Sequence, residues 1–200
     1  PLRKRADFLE PGTGNLLGAE QSGFMLSVGY DLYLRLIEEA VLEEKGEAAT
    51  QAAECIADLP VAANIPDDYI PSDAERMDLY RRIAYIRSDA DASDIRDELL
   101  DRYGEYPAAV DALIEIALLR ADAMRGGVKE VALREGSLVF SFERADHERL
   151  AQLYGDPAYK NRLLLNAGKN PHIAMRLRAG EAPLPTARQL AGKLADGEKK

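Results

Sequence analysis

Tryptophan is absent from this 200-residue chain, and cysteine and histidine nearly so, with one Cys and two His. A lone Cys55 excludes a disulfide within the chain and a multi-cysteine zinc site. His147 and His172 stand far apart, and neither has a second His or Cys at ligand spacing, so an ordinary surface or structural histidine is the plain reading of each. No apolar run approaches the roughly 20 residues that a membrane span needs. The start, PLRKRADFLEPG, is basic but has no apolar core of signal-peptide length, and a cytoplasmic location is the expectation. No G-x-x-x-x-G-K-[ST] occurs anywhere, and no Walker acidic strand can be identified, so a nucleotide site is not expected.

The charge that is present is unevenly placed. The chain carries a net −9, yet residues 31–125 hold 10 Lys/Arg against 23 Asp/Glu, while residues 126–200 hold 13 against 9. Affinity for nucleic acid rests on cations meeting phosphates, so the acidic middle argues against that part gripping DNA. It suits a basic protein surface as partner, or simply a solvated acidic helix surface.

Hydrophobic spacing divides the chain. Phe24, Val28, Leu32 and Leu36 recur every four residues, which predicts a helix from Phe24 to about Glu44. Gly46 and the polar run EAATQAAE read as a linker, which separates residues 1–46 from 47–200. Leu59, Val61, Ala63 and Ile65 alternate, which predicts a short strand, with Pro60 marking an edge or a start. Ser72 and Glu75 spell a capping box before a helix. A second helix is expected from about Ala92 to Tyr103, with Ile95, Leu99 and Tyr103 on one face and Gly104 as its stop; a third runs from Pro107 to Gly126-Gly127 and carries Val110, Leu113, Ile114, Ala117, Leu118 and Ala121. VKEVAL and SLVFSF then flank Arg134-Glu135-Gly136 as a hairpin, and a short helix follows at about 145–154. RLLLN and HIAMRLR flank AGKNP as a second hairpin, and Pro183 opens a last helix. The fold class is α+β: a helical N-terminal half followed by a small, mainly antiparallel sheet with flanking helices.

Few residues suggest chemistry. Paired carboxylates such as Asp67-Asp68 and Glu38-Glu39 are plentiful, but none stands out as acid and base, which leaves a small hydrolase as a weak alternative. Tyr159, Lys160, Arg162, Lys169, Arg176 and Arg178 keep open a nucleic-acid module built on the basic C-terminal third. The one unusual stretch is GTGNLLGAEQSG, residues 12–23.

That stretch resembles the end of the motif that follows the helicase core in RecG and in the transcription-repair coupling factors (the Mfd family), where it couples an ATP-driven motor to DNA translocation. Gly12, Gly14, Leu16, Leu17, Gly18 and Gln21 are the matching positions, and FMLSVGYDLYLRLIEEAV follows as in the family. Two further segments, DLPVAANIPDDYIPSDAERMDLYRRIA and IRDELLDRYGEYP, resemble the C-terminal domain that distinguishes the coupling factors from RecG. One departure is Pro11, where the family usually carries Arg.

The resemblance implies a non-catalytic C-terminal regulatory (TRCF) domain over 47–200, with the end of the translocation motif and a connecting helix before it. Family members are bacterial ATP-dependent DNA translocases that displace stalled RNA polymerase and recruit UvrA. The domain would pack on the UvrB-like N-terminal domain of the same protein and mask its UvrA-binding surface. Glu98, Asp101 and Arg102 match the residues that carry the family's interdomain contacts. No cofactor is implied for this stretch; ATP and Mg belong to the motor domains. Residues 12–23 would pack on those motor domains rather than on the TRCF core. Deleting residues 1–23 is therefore expected to leave the melting temperature of the remainder nearly unchanged; a large drop in a thermal melt would place the segment in the core.

Overall fold

The computed structural model describes residues 55–144 and 146–196. The translocation-motif positions Gly12, Gly14, Leu16, Leu17, Gly18 and Gln21, the helix expected over 24–44, the linker and the boundary at 46/47 lie outside the described residues.

Ten elements follow one another: β1 (Ile56–Asp58), α1 (Asp73–Ala84), α2 (Asp89–Tyr103), α3 (Ala108–Arg125), β2 (Val128–Arg134), β3 (Ser137–Phe142), α4 (His147–Gly155), β4 (Leu163–Asn166), β5 (His172–Arg176) and α5 (Pro183–Ala195). The strands form one sheet in the order β1-β2-β3-β5-β4. β1 runs parallel to β2, and every other pairing is antiparallel. The fold is thus α+β with a mainly antiparallel sheet, as the hydrophobic spacing implies. Both expected hairpins form. The tight turn between β2 and β3 places Glu135 at φ 48 and Gly136 at φ 75, the left-handed pair that a two-residue hairpin turn demands.

α3 is the axis of the domain. Its buried side chains include Val110, Leu113, Ile114, Ile116, Ala117, Leu118, Leu119 and Ala121, which leaves almost no solvent face. A helix apolar nearly all round must be enclosed by other elements. α1 and α2 lie against it, β1 and β2 approach it from the sheet, and α5 packs along it. α5 contributes Leu184, Ala187, Leu190, Ala191 and Leu194, a stripe whose small residues allow close approach. Asp122, 4% exposed, is the buried carboxylate of α3, and it is held by Arg125 and by Arg188 of α5. Arg188 also reaches Asp89 at 2.8 Å, and Arg96 reaches Asp111 and Glu115 at 2.8 and 2.6 Å, so charge pairs lace α2, α3 and α5 together.

Three expectations need correction. The alternating stretch Leu59–Ile65 is not a strand; the strand is Ile56–Asp58, just before it. Pro60 and Pro66 have no N–H for a ladder, and side chains of α1 meet backbone groups at Ile65 and in the turn that follows it. The Tyr80 hydroxyl accepts from the Ile65 N–H at 2.8 Å, and the buried Arg76 guanidinium donates to the Ile70 carbonyl at 2.5 Å. The Ser72 hydroxyl does accept from the Glu75 N–H at 3.4 Å, but Glu75 does not complete a capping box, because its carboxylate accepts from Arg102. The complete box belongs to α2. Ser88 accepts from the Asp91 N–H at 3.2 Å and Asp91 accepts from the Ser88 N–H at 2.9 Å, which starts that helix at Asp89 rather than Ala92.

α5 approaches the end of α3 closely at its C-cap, Gly126. A Cβ there would sit 2.8 Å from the Leu194 Cβ, with backbone atoms of Leu194 and Ala123 at 3.3 Å. Gly126→Ala is expected to cost about 1–3 kcal/mol by overpacking and to lower the melting temperature by about 3–10 °C. An unchanged melt would show that α5 shifts freely on α3.

Candidate interdomain contact surface

α2 divides its faces by helical spacing. Ile95 and Leu99 are buried, and Tyr103 continues their stripe half-buried. Glu98 and Arg102 flank that stripe on the side of α1, while Asp94, Asp97 and Asp101 point to solvent.

The flank toward α1 holds a network of four charges. The Arg82 guanidinium grips both oxygens of Glu98, with Nη1 to Oε1 at 2.8 Å and Nη2 on Oε2. Arg102 donates to the same Glu98 Oε1 at 3.0 Å and, from its other nitrogen, to Glu75 Oε1 at 2.9 Å. The Arg102 guanidinium also lies 4.9 Å above the centre of the Tyr103 ring. Planar forks of this kind fix direction as well as charge. The network ties α1 to α2 at both ends of an open groove of about 270 Å³, lined by Glu75, Asp78, Leu79, Arg82, Glu98 and Tyr103. The Arg82 hydrogen bonds hold the Glu98 carboxyl well down, to about 2, and Arg102 adds to the effect.

Of the three residues singled out by sequence, the network takes two. Glu98 is half-buried and engaged by two arginines, and Arg102 is engaged by two glutamates. Asp101 is exposed and has no ion pair among the described residues. Beside it, Leu100 is 47% exposed. The sequence does not reveal Arg82 and Glu75 as members, because they sit on α1 and meet α2 only once the helices pair.

The arrangement presents fixed charges; it does not suit proton transfer. A general acid or base near neutral pH needs a carboxyl pushed upward. The carboxyls of Glu98, Asp91 and Glu181 are all pushed down, Asp91 chiefly by the Arg87 N–H and Glu181 chiefly by the Arg178 N–H. Among the described residues no group of His, Cys, Asp and Glu is placed to hold a metal ion, and no helix is long and apolar enough to cross a membrane. His172 is half-buried with Nδ1 3.0 Å from the Asn170 carbonyl, and His147 is exposed at the start of α4. The basic C-terminal third does not form a stacking platform. Tyr159 is buried, and Arg162 is turned to Glu181 at 2.5 Å, leaving Lys160, Lys169, Arg176 and Arg178 exposed on separate turns and strand ends.

Comparison with known proteins picks out the same helices. The sequence profile described as the TRCF domain matches residues 59–153. The chain carries a TRCF domain. Over 120 residues it is 37% identical to the transcription-repair-coupling factor of Staphylococcus epidermidis, covering 59% of this chain and 10% of that protein. It is 43% identical over 111 residues to that of Myxococcus xanthus, covering 56% and 9%, and 38% identical over 119 residues to that of Bacillus subtilis, covering 59% and 10%. The chain thus spans about a tenth of the length of the curated relatives it matches. A crystal structure of the C-terminal domain of a transcription-repair coupling factor superposes with a TM-score of 0.56 at 24% identity, covering 74% of this chain and 94% of that one, which shows a shared fold.

The TRCF profile runs through α1, α2 and α3, so the charge network lies inside it. Glu98 sets a pH dependence. Its folded value of about 2 lies below its ordinary 4.5, so its pairs stabilise the domain fully above about 4.5 and that contribution fades as pH falls toward 2. The partners are partly solvated, which limits the effect to about 1 kcal/mol. Urea unfolding of the parent chain and Glu98→Gln should therefore differ by about 1 kcal/mol at neutral pH and converge near pH 2. A difference that is constant across that window would mean that Glu98 acts through packing and not through its charge.

Proposed function

We propose that this chain is the C-terminal regulatory domain of a bacterial, cytoplasmic transcription-repair coupling factor and that it performs no catalysis itself. The observation that carries this reading is the TRCF profile match over residues 59–153, supported by relatives that are all named transcription-repair-coupling factors. In that setting the parent protein is an ATP-dependent DNA translocase, with ATP and Mg bound by motor domains, that displaces stalled RNA polymerase from double-stranded DNA and recruits UvrA.

The domain acts as a clamp. It packs through α2 on the UvrB-like domain of the same protein and covers the surface that UvrA recognises until the motor engages DNA. Asp101 supplies the outward carboxylate, and Glu98 and Arg102 border it on the groove side. A carboxylate meeting an arginine across an interface forms a charge-assisted pair, and removing one half of such a buried pair costs about 2–5 kcal/mol. Exposed carboxylates with nothing against them cost under about 0.5 kcal/mol when removed.

The test is UvrA binding by the intact coupling factor without ATP. Glu98→Ala with Asp101→Ala is expected to increase binding while the protein stays folded. Because Glu98 also braces α1, Asp101→Ala alone is the cleaner arm, and it should increase binding too. Unchanged binding in both would move the clamp to another face of the domain.

A further inference from the structure

We propose that Arg82 is a positioning residue for the interdomain contact, holding the Glu98–Arg102 side of α2 in the geometry that the UvrB-like domain recognises. This rests on the clamp reading above. The observation is the asymmetry of the network. Glu98 and Arg102 are both on α2, four residues apart, and could close on each other as a simple i,i+4 pair. They do not close alone. Arg82, reaching over from α1, takes both oxygens of Glu98, and Glu75 takes the far nitrogen of Arg102.

The result is an alternating chain, Arg82–Glu98–Arg102–Glu75, that begins and ends on α1. Two consequences follow from its geometry. Arg102 bridges Glu98 and Glu75 across the groove, its guanidinium 4.9 Å from the centre of the Tyr103 ring, rather than pairing with Glu98 alone. The charge of Glu98 is met within the domain, so of Glu98 and Asp101 it is Asp101 that keeps its carboxylate for a partner. Without Arg82, Glu98 keeps Arg102 as its one arginine partner, and Arg102 is drawn away from Glu75 toward it. The partner then meets a different charge pattern, although the fold of α1 and α2 on α3 is intact.

Arg82 is 39% exposed along its side chain, so its pairs add little to stability on their own. That makes the role separable from folding. A matched control exists on the opposite flank of the same helix. Arg96, 25% exposed along its side chain, pairs with Asp111 and Glu115 of α3 and does not touch the groove.

The experiment uses the intact coupling factor without ATP and measures UvrA affinity for Arg82→Gln, Arg82→Lys, Arg96→Gln and Asp101→Ala, with a thermal melt of each. Arg82→Gln is expected to raise UvrA affinity about fivefold or more, the low end of ordinary coupling between sites. Arg82→Lys, which keeps the charge but loses the fork, should fall between it and the parent. Arg96→Gln should leave UvrA affinity unchanged at an equal or larger loss of melting temperature. An increase with Asp101→Ala but none with Arg82→Gln overturns the positioning role and leaves the clamp standing. Equal increases with Arg96→Gln and Arg82→Gln overturn it as well, since both then act through stability. No increase with either Asp101→Ala or Arg82→Gln overturns the clamp and the positioning role together.

Discussion

The domain depends on enclosing α3. A helix with apolar residues on almost every side, and a carboxylate at Asp122 besides, cannot face water anywhere along its middle. Its neighbours are set by that demand. α1 and α2 cover one side, the sheet approaches through β1 and β2, and α5 closes the remainder down to the Gly126–Leu194 contact. The parallel pairing of β1 with β2 belongs to the same constraint, because the chain must leave the sheet, lay down three helices, and return beside the strand it left. Asp122 is tolerated because Arg125 and Arg188 meet its charge; removing either partner would strand a buried anion.

With α3 fixed, the charges of α2 fall into two sets. Those on its flanks are consumed inside the domain: Arg96 toward α3, and Glu98 and Arg102 toward α1. Those on its crest, Asp94, Asp97 and Asp101, are left to solvent. The acidic middle of the chain is therefore partly internal bracing and partly a surface. Only the second part is available to another protein, and it lies beside an exposed Leu100. This division bears on how substitutions are read. A change at Glu98 alters the brace and the surface at once, whereas a change at Asp101 alters the surface alone.

Much of this was legible in the sequence wherever burial alone decides structure. The spacing of Ile95, Leu99 and Tyr103, the long apolar pattern of α3, the turn residues Arg134-Glu135-Gly136 and the proline at the head of α5 each announce their element, and each forms. The sequence misled where two solutions satisfy the same pattern. Leu59, Val61, Ala63 and Ile65 alternate as a strand would, but Pro60 and Pro66 remove ladder donors, and the Tyr80 hydroxyl on α1 takes the Ile65 N–H. Ser72 and Glu75 have capping-box spacing, but an arginine on the next helix competes for Glu75 and wins it. The resemblance of residues 95–107 to the coupling factors singled out Glu98, Asp101 and Arg102, yet Arg82 and Glu75, which decide how two of those are held, carry no local signal. They enter only through helix pairing, which is a tertiary fact.

The proposed clamp sets the crest of α2 against the UvrB-like domain until the motor engages DNA. The most direct measurement is a distance. Spin labels at Ser93→Cys, exposed on α2 outside the Glu98–Asp101–Arg102 contact, and on the UvrB-like domain of the intact coupling factor, read by double electron–electron resonance, report it without relying on UvrA. A clamp of this kind gives a single short distance in the absence of ATP and DNA, replaced by long and broad distances when both are present. A short distance that persists through DNA engagement, or long and broad distances from the outset, would contradict it.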